Sequence, residues 1–185
     1  FGRKFYSNND VGEKTTISRE LDSSFTGSYF VETIESDGKP TVKKYFNALG
    51  QQIASAKQNF DGSFVYQQSH YDELGRVIRQ TIPYQGSTDK YNTTAYDEFG
   101  RVTGSTSANG VTSTISYSGL TTTTVVTPND GEAATQTKVE TKNILGEVKS
   151  IEDNAATLAG SSLLYNYNAV GNLTKVINID DTEIT

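Results

Sequence analysis

Two seven-residue stretches of this chain are nearly identical: YDELGRV at residues 71–77 and YDEFGRV at residues 96–102. An Asp at the first corner of a turn accepts a hydrogen bond from the backbone two residues further on. A glycine three positions later, here Gly75 or Gly100, adopts the positive φ that closes a hairpin with a G1 bulge. The two stretches therefore predict two equivalent hairpin turns.

Three looser copies of the stretch occur elsewhere: FNALGQ at residues 46–51, KNILGEV at residues 142–148, which lacks the aromatic, and YNAVGNL at residues 167–173. The interval from Gly50 to Gly75 equals the interval from Gly75 to Gly100, and the interval from Gly146 to Gly171 is the same again. The stretch between Gly100 and Gly146 is close to two such intervals with a few residues lost. A fixed period in the range of roughly 20–50 residues indicates stacked supersecondary units.

The repeated residues are expected to shape turns rather than to perform chemistry. We expect the aromatic residue to end a strand and pack on the next repeat, and the apolar residue before each glycine to tuck beneath the turn. The predicted motif residues are Phe46, Gly50, Tyr71, Asp72, Gly75, Arg76, Tyr96, Asp97, Gly100, Arg101, Gly146, Tyr167 and Gly171.

The other glycines extend the same pattern of short strands and turns. Asp61-Gly62, Asn109-Gly110 and Asp130-Gly131 are typical of two-residue hairpin loops. The fold class predicted is all-β: a dozen or more short strands in consecutive antiparallel β-hairpins, forming a curved, twisted sheet strip that is part of a shell or solenoid. The alternative is a β-sandwich with ordinary turns, although a sandwich does not require a fixed longer period.

The recognisable motif divides the chain into two predicted regions. Residues 41–185 are predicted to be the repeats, and residues 1–40 to be an N-terminal β segment or a run-in to them. Because the sequence begins with Phe1 and contains no methionine, we expect it to be a segment of a longer protein.

Composition excludes several classes of function. The net charge is −6 and the 16 Lys and Arg residues are scattered, whereas nucleic-acid binding requires a clustered basic face. No stretch approaches the roughly 20 apolar residues of a membrane helix. The absence of cysteine excludes disulfides and thiolate metal sites. We therefore expect no nucleic-acid partner and no membrane span.

No constellation of residues predicts an enzyme. His70 is the single histidine and falls in a predicted strand, without the glycine-flanked serine of a nucleophile elbow. The carboxylate pairs Asp72/Glu73 and Asp97/Glu98 recur in register, which suits a repeated turn better than a unique acid/base pair. We predict no catalytic residue, no cofactor and no metal.

The hexad Tyr-Asp-x-x-Gly-Arg, recurring at a fixed period, resembles the RHS or YD repeat. The resemblance covers at least residues 41–179. The family includes bacterial RHS proteins, the B and C components of insecticidal toxin complexes, and teneurins. The resemblance implies that the repeats form a β-sheet strip that spirals into a hollow shell around a toxic C-terminal domain or another cargo. The Asp-Pro-x-Gly mark of the family's self-cleaving segment is absent, because no proline here follows an aspartate.

The function predicted is structural: a segment of the RHS/YD-repeat shell of a bacterial secreted or cell-surface protein, encapsulating or presenting a toxin or effector domain. The implied partners are the remainder of the parent shell and its enclosed C-terminal domain, with self-association through unpaired sheet edges. The alternative is a cell-surface carbohydrate- or protein-binding repeat module. In that alternative, exposed tyrosines such as Tyr66, Tyr84 and Tyr117 stack on sugar rings, whereas cross-strand packing is their structural role.

Overall fold

The structure is a computed structural model that describes residues 4–8, 14–131, 135–155 and 161–178, with the backbone alone for 4–8, 154, 155 and 161. In these ranges the chain consists of strands and turns. None of the described residues forms a helix with the length and apolar character needed to cross a membrane. The strands are β1 (Lys4–Asn8), β2 (Lys14–Leu21), β3 (Phe30–Ser36), β4 (Val42–Phe46), β5 (Gln52–Gln58), β6 (Phe64–Tyr71), β7 (Val77–Thr81), β8 (Tyr91–Tyr96), β9 (Val102–Thr106), β10 (Thr112–Ser118), β11 (Thr121–Thr127), β12 (Gln136–Lys142), β13 (Val148–Ala155), β14 (Ser161–Tyr167) and β15 (Leu173–Asn178).

The chain divides into two compact units, residues 1–93 and 94–185, and the division falls within β8. In the first unit each strand from β1 to β8 pairs antiparallel with the next strand along the chain. In the second unit the same holds from β9 to β15. The predicted all-β fold of consecutive antiparallel hairpins is confirmed. The sequence also predicts a boundary between residues 1–40 and the repeats at 41–185. That boundary lies within the first unit, and the two regions stay a prediction.

The predicted two-residue loops at Asp61-Gly62 and Asn109-Gly110 are wrong in length. Gly62 donates its N–H to the carbonyl of Asn59, three residues earlier, at 3.1 Å, and Gly110 donates to Ser107 in the same way at 2.8 Å. These loops therefore begin two residues before the Asp or Asn. Glycine takes the fourth position of a longer turn, with a φ of 86° at Gly62 and 87° at Gly110. The third loop, at Asp130-Gly131, borders residues 132–134, which lie outside the described ranges.

Few side chains are fully buried in the described ranges. Three apolar ones form the core: Tyr45, Ala54 and Ala56, on neighbouring strands β4 and β5. Tyr45 and Ala54 stand directly opposite each other. Phe25 covers this spot, with its ring centroid 4.8 Å from that of Tyr45 in an edge-on arrangement. Burial raises the pKa of the Tyr45 hydroxyl to about 12, with further contributions from Tyr66 and Asp22.

The segment that carries Phe25 is fixed by Asp22. Its carboxylate accepts hydrogen bonds from the Ser24 backbone N–H at 3.0 Å, the Ser24 hydroxyl at 2.6 Å and the Ser28 hydroxyl at 2.6 Å. Desolvation opposes ionisation of Asp22, but these bonds outweigh it and hold the pKa of the carboxyl below 3.8. The loop over β4 and β5 is thus a built part of the first unit.

Candidate functional site

The repeated motif forms one turn geometry, seen most fully at residues 72–76. Asp72 donates its N–H to the carbonyl of Arg76 at 2.9 Å, and Gly75 donates to the carbonyl of Asp72 at 3.0 Å. The Asp72 carboxylate turns inward, where one oxygen, Oδ1, accepts the backbone N–H groups of Leu74 at 3.0 Å and Arg76 at 2.9 Å. One side-chain oxygen therefore satisfies two backbone donors that the turn leaves outside the sheet ladder.

The other motif copies repeat these bonds at equivalent positions. The corner residues Asn47, Asp97, Asn143 and Asn168 each accept two backbone N–H groups through Oδ1, at distances between 2.9 and 3.1 Å. The motif glycines Gly50, Gly75, Gly100, Gly146 and Gly171 all have φ between 78° and 84°. The strand pairing shifts register at the aromatic position of the turns after β4, β6, β12 and β14, as a G1 bulge requires.

In four of the five motif turns, the side chain of the fifth residue complements the side chain of the corner residue. Where the corner is aspartate, the partner is arginine: Arg76 Nε donates to Asp72 Oδ2 at 2.7 Å, and Arg101 Nε donates to Asp97 Oδ2 at 2.7 Å. An asparagine corner instead offers an N–H group, and its partner is then an acceptor. The two pairs of this kind are Asn47 Nδ2 with Gln51 Oε1 at 2.7 Å and Asn143 Nδ2 with Glu147 Oε2 at 2.6 Å.

The pKa values of both corner carboxyls are lowered from the ordinary value of an aspartate. For Asp72 the largest cause is the backbone N–H of Arg76, joined by the arginine side chain and its charge. For Asp97 the largest influence is desolvation, which raises the pKa, but the hydrogen bonds and charge of Arg101 together outweigh it. The aspartates thus act as turn anchors with fixed charge.

Neighbouring motif turns also touch one another. A Cβ atom at Gly75 would lie 3.2 Å from Gln51 Nε2, and one at Gly171 would lie 2.9 Å from Glu147 Oε1. Gln51 and Glu147 are the fifth residues of the preceding turns. The absence of a side chain at the motif glycine therefore serves the contact between repeats as well as the positive φ.

The motif tyrosines join each repeat to the one before it. Tyr71 donates its hydroxyl hydrogen to the carbonyl of Gln52 at 2.7 Å, and Tyr167 donates to the carbonyl of Val148 at 2.9 Å. Both acceptors follow a motif glycine by two residues. The ladders of β5 with β6 and of β13 with β14 end before reaching them. The tyrosine hydroxyl thus satisfies a carbonyl that the sheet leaves unpaired.

Sequence reasoning missed one copy of this arrangement. Tyr117 donates its hydroxyl hydrogen to the carbonyl of Val102 at 2.8 Å, as the motif tyrosines do, and the Arg101 guanidinium lies 4.2 Å from the centroid of its ring. The turn after Tyr117 is shortened, because Ser118 pairs directly with Thr121 across two residues. The sequence held one signal for this copy. Lys142 stands at the aromatic position of the next copy, and Tyr117 precedes it by the same interval that separates Gly75 from Gly100.

The apolar residue before each motif glycine does not tuck beneath its turn, and that prediction is wrong. These side chains are 73 to 85% exposed. The space beneath the turn is occupied by the corner side chain and its backbone hydrogen bonds. The residues concerned are Leu49, Leu74, Phe99, Leu145 and Val170.

The tyrosines considered as sugar platforms are packed rather than fully exposed. The Tyr66 ring lies 5.8 Å from that of Phe25 and 6.0 Å from that of Tyr84. Tyr84 also accepts a hydrogen bond from Gln68, and the hydroxyl and ring of Tyr117 are both engaged. Carbohydrate binding through these rings stays a prediction, and cross-strand packing accounts for all three.

We expect Tyr167→Phe to lower the free energy of unfolding by about 1 kcal/mol, because it removes the hydrogen bond to the Val148 carbonyl. Tyr165 lies two residues earlier on β14 and is half-buried, so Tyr165→Phe is the matched control and should be close to neutral. Urea unfolding followed by circular dichroism measures both. Equal effects of the two substitutions would remove the role assigned to the motif hydroxyl.

The second prediction concerns the hydrogen bond between the corner residue Asp72 and the fifth residue Arg76. Asp72→Asn should lower the melting temperature by about 2–4 °C, because the new amide N–H group faces the Arg76 N–H group. Adding Arg76→Gln should restore most of the loss, since Asn with Gln is the pair found at Asn47 and Gln51. Calorimetry on the two single variants and the double variant gives the coupling. Strictly additive losses would contradict the complementarity of the pair.

Known proteins share both the repeat and the fold of this chain. A family model described as the RHS repeat matches residues 71–112. Among curated proteins, no sequence match was found. The fold is similar to that in the crystal structure of TcdB2-TccC3-Cdc42, with a TM-score of 0.59 at 16% identity, covering 90% of this chain and 10% of that chain.

The crystal structure of TcdB2-TccC3 gives the same TM-score of 0.59 at 16% identity and the same coverage. For the Tc holotoxin pore of Photorhabdus luminescens the TM-score is 0.59 at 14% identity, again with 90% and 10% coverage. This chain thus spans about a tenth of the length of those chains. The match of the RHS-repeat model to residues 71–112, which contain both intact hexads, confirms the resemblance to RHS/YD repeats seen in the sequence, and the solved structures show the same fold over 90% of the chain.

Proposed function

We propose that this chain is a wall segment of an RHS-type shell, in a bacterial protein that is secreted or displayed at the cell surface. The shell would enclose or present a toxin or effector domain. The observation that carries the proposal is the fastening of one repeat to the next, by the motif hydroxyl of Tyr71 and Tyr167 and by the fifth residue of the turn. Such fastening suits a structure in which every hairpin must hold its neighbour.

A second observation supports a wall rather than a thick domain. Apart from Tyr45, Ala54 and Ala56 on β4 and β5, and Thr81 on β7, the described side chains are at most partly buried. The sheet therefore draws its order mainly from backbone pairing and turns, and less from a deep apolar core. A single sheet covers a large area with few residues, and a wall that encloses a cargo needs this property.

The comparisons support the same proposal at the level of fold. One of the similar solved structures is described as a Tc holotoxin pore, and this chain corresponds to about a tenth of the matched chains. We propose that the remainder of the parent protein supplies the rest of the wall and the enclosed C-terminal domain. Secretion or surface display belongs to the same proposal.

We also propose that the chain is not an enzyme. Its turn carboxylates are committed to backbone N–H groups and arginines, as at Asp72 and Asp97, rather than held ready for proton transfer. His70, on β6, stands opposite Arg79, and its side chain forms no hydrogen bond or ion pair with a described carboxylate. Catalytic turnover by the purified chain that is lost in His70→Gln would contradict this proposal.

Isolated from its parent, the chain should self-associate through its sheet edge. Among the described strands β15 pairs with β14 alone, and an edge strand of this kind tends to pair with a strand of another chain. We expect light scattering to show a mass that rises above the 20.1 kDa monomer with concentration. Val176→Lys places a charge on this edge strand and should reduce the association. A constant monomer mass at high concentration would contradict it.

Electron microscopy of the full-length parent tests the shell itself. We expect a hollow particle with internal density, and a C-terminal domain that resists protease until the particle is opened with denaturant. The same parent with its C-terminal domain deleted is the control, and should keep the particle and lose the density. A solid rod, or a C-terminal domain cleaved as readily as an unfolded chain, would overturn the proposal.

A further inference from the structure

One arginine differs from the others in the described chain. Arg19, Arg76 and Arg101 each pair with a carboxylate within 3.1 Å. Arg79, on β7, has no carboxylate partner among the described residues. Its guanidinium carbon instead lies 3.4 Å from the centroid of the Tyr91 ring. Its Nε is shielded from solvent and has no hydrogen-bond partner.

The strand register gives Arg79 two neighbours on the same face of the sheet. It stands directly opposite His70 on β6 and directly opposite Thr93 on β8. Side chains in such positions have Cβ atoms roughly 4.5–5.5 Å apart and point to the same side. His70 is exposed and Thr93 is partly buried. Neither side chain forms a hydrogen bond to another described residue.

The side chains of His70, Arg79 and Thr93 form a row across the three strands. This row therefore presents hydrogen-bond donors without an acceptor. The guanidinium supplies N–H groups, the imidazole can donate from a ring nitrogen, and the threonine supplies a hydroxyl. The ion pairs formed by the described arginines involve Arg19, Arg76 and Arg101, and none of them includes Arg79. A partly desolvated cation that stacks on a ring but has no carboxylate partner costs free energy, which an anionic ligand would recover.

The geometry favours a carboxylate as that ligand. Stacking on Tyr91 fixes the plane of the guanidinium, and the shielded Nε leaves the end with Nη1 and Nη2 as the part able to bind. Two parallel N–H groups match the two oxygens of a carboxylate. The row holds a single permanent cation, so one carboxylate neutralises it, whereas a doubly charged phosphate would keep unmatched charge.

We propose that His70, Arg79 and Thr93 form a docking site for one carboxylate side chain of an acidic protein segment. Arg79 binds the carboxylate through two N–H groups, and Tyr91 holds the guanidinium in place. His70 and Thr93 donate hydrogen bonds to the carboxylate from either side. All of these residues lie in the first unit. The site does not depend on the shell proposal, and it stands or fails with its own measurement.

The test is an NMR titration of the full ¹⁵N-labelled chain with tetraglutamate, with tetraglutamine at equal concentration and sodium chloride at equal ionic strength as controls. We expect saturable shifts at the Arg79 side-chain Nε–H and at the backbone amides of His70 and Thr93. Arg79→Gln should weaken the binding at least tenfold. Arg19→Gln is the matched control and should leave it unchanged, because Arg19 already pairs with Glu32.

A second variant keeps the test independent of any folding defect in Arg79→Gln. Thr93→Val preserves the shape and the strand propensity of the side chain while removing its hydroxyl, and should weaken binding a few-fold. The proposal is overturned if tetraglutamine or chloride produces the same shifts, or if Arg79→Gln, folded as judged by its spectrum, binds as tightly as the parent. Tighter binding of inorganic sulfate than of tetraglutamate would also overturn it, because the site would then prefer a different oxyanion.

Discussion

The structure depends on one interaction, in which the side-chain oxygen of a turn's corner residue accepts two backbone N–H groups. At Asp72 and at Asn143 alike, Oδ1 binds the amides two and four residues further on. Without it, each hairpin would leave these donors to solvent at the point where the chain must reverse. Because aspartate and asparagine share this oxygen, either can begin the turn. The remaining side-chain atom then decides which partner the turn accepts.

That second choice links the local turn to the assembly of repeats. The two aspartate corners take arginine as their fifth residue, whereas the asparagine corners Asn47 and Asn143 take glutamine and glutamate. In the asparagine turns the fifth residue then reaches the glycine of the next turn, as Gln51 reaches Gly75 and Glu147 reaches Gly171. The tyrosine hydroxyls add a second link at the same end of the strands. A structure with so few buried side chains is held by links of this kind, which is the property that the proposed wall needs.

The period of the glycines was enough to predict the hairpins, since a positive φ and a corner acceptor are demands of neighbouring residues alone. What could not be predicted depends on residues brought together by pairing. The acceptor for the Tyr71 hydroxyl is a carbonyl freed where one ladder ends, and the exposure of Leu74 follows because Asp72 already fills the turn. The pair Asp61-Gly62 led to a wrong loop length because it resembles a two-residue hairpin loop. Its turn in fact begins two residues earlier, at Asn59. The unpaired Arg79 emerges only from the register of three strands.

Amide hydrogen exchange within the motif turns measures directly whether the corner side chain holds its backbone N–H groups. The N–H of Leu74 bonds to the Asp72 side chain rather than to a strand, while the N–H of the intervening Glu73 has no such acceptor. We expect Leu74 and its counterparts Leu49, Phe99, Leu145 and Val170 to exchange at least tenfold more slowly than unstructured peptide, whereas Glu73 should not. Exchange of Leu74 at the rate of Glu73 would show that the corner side chain does not hold the turn.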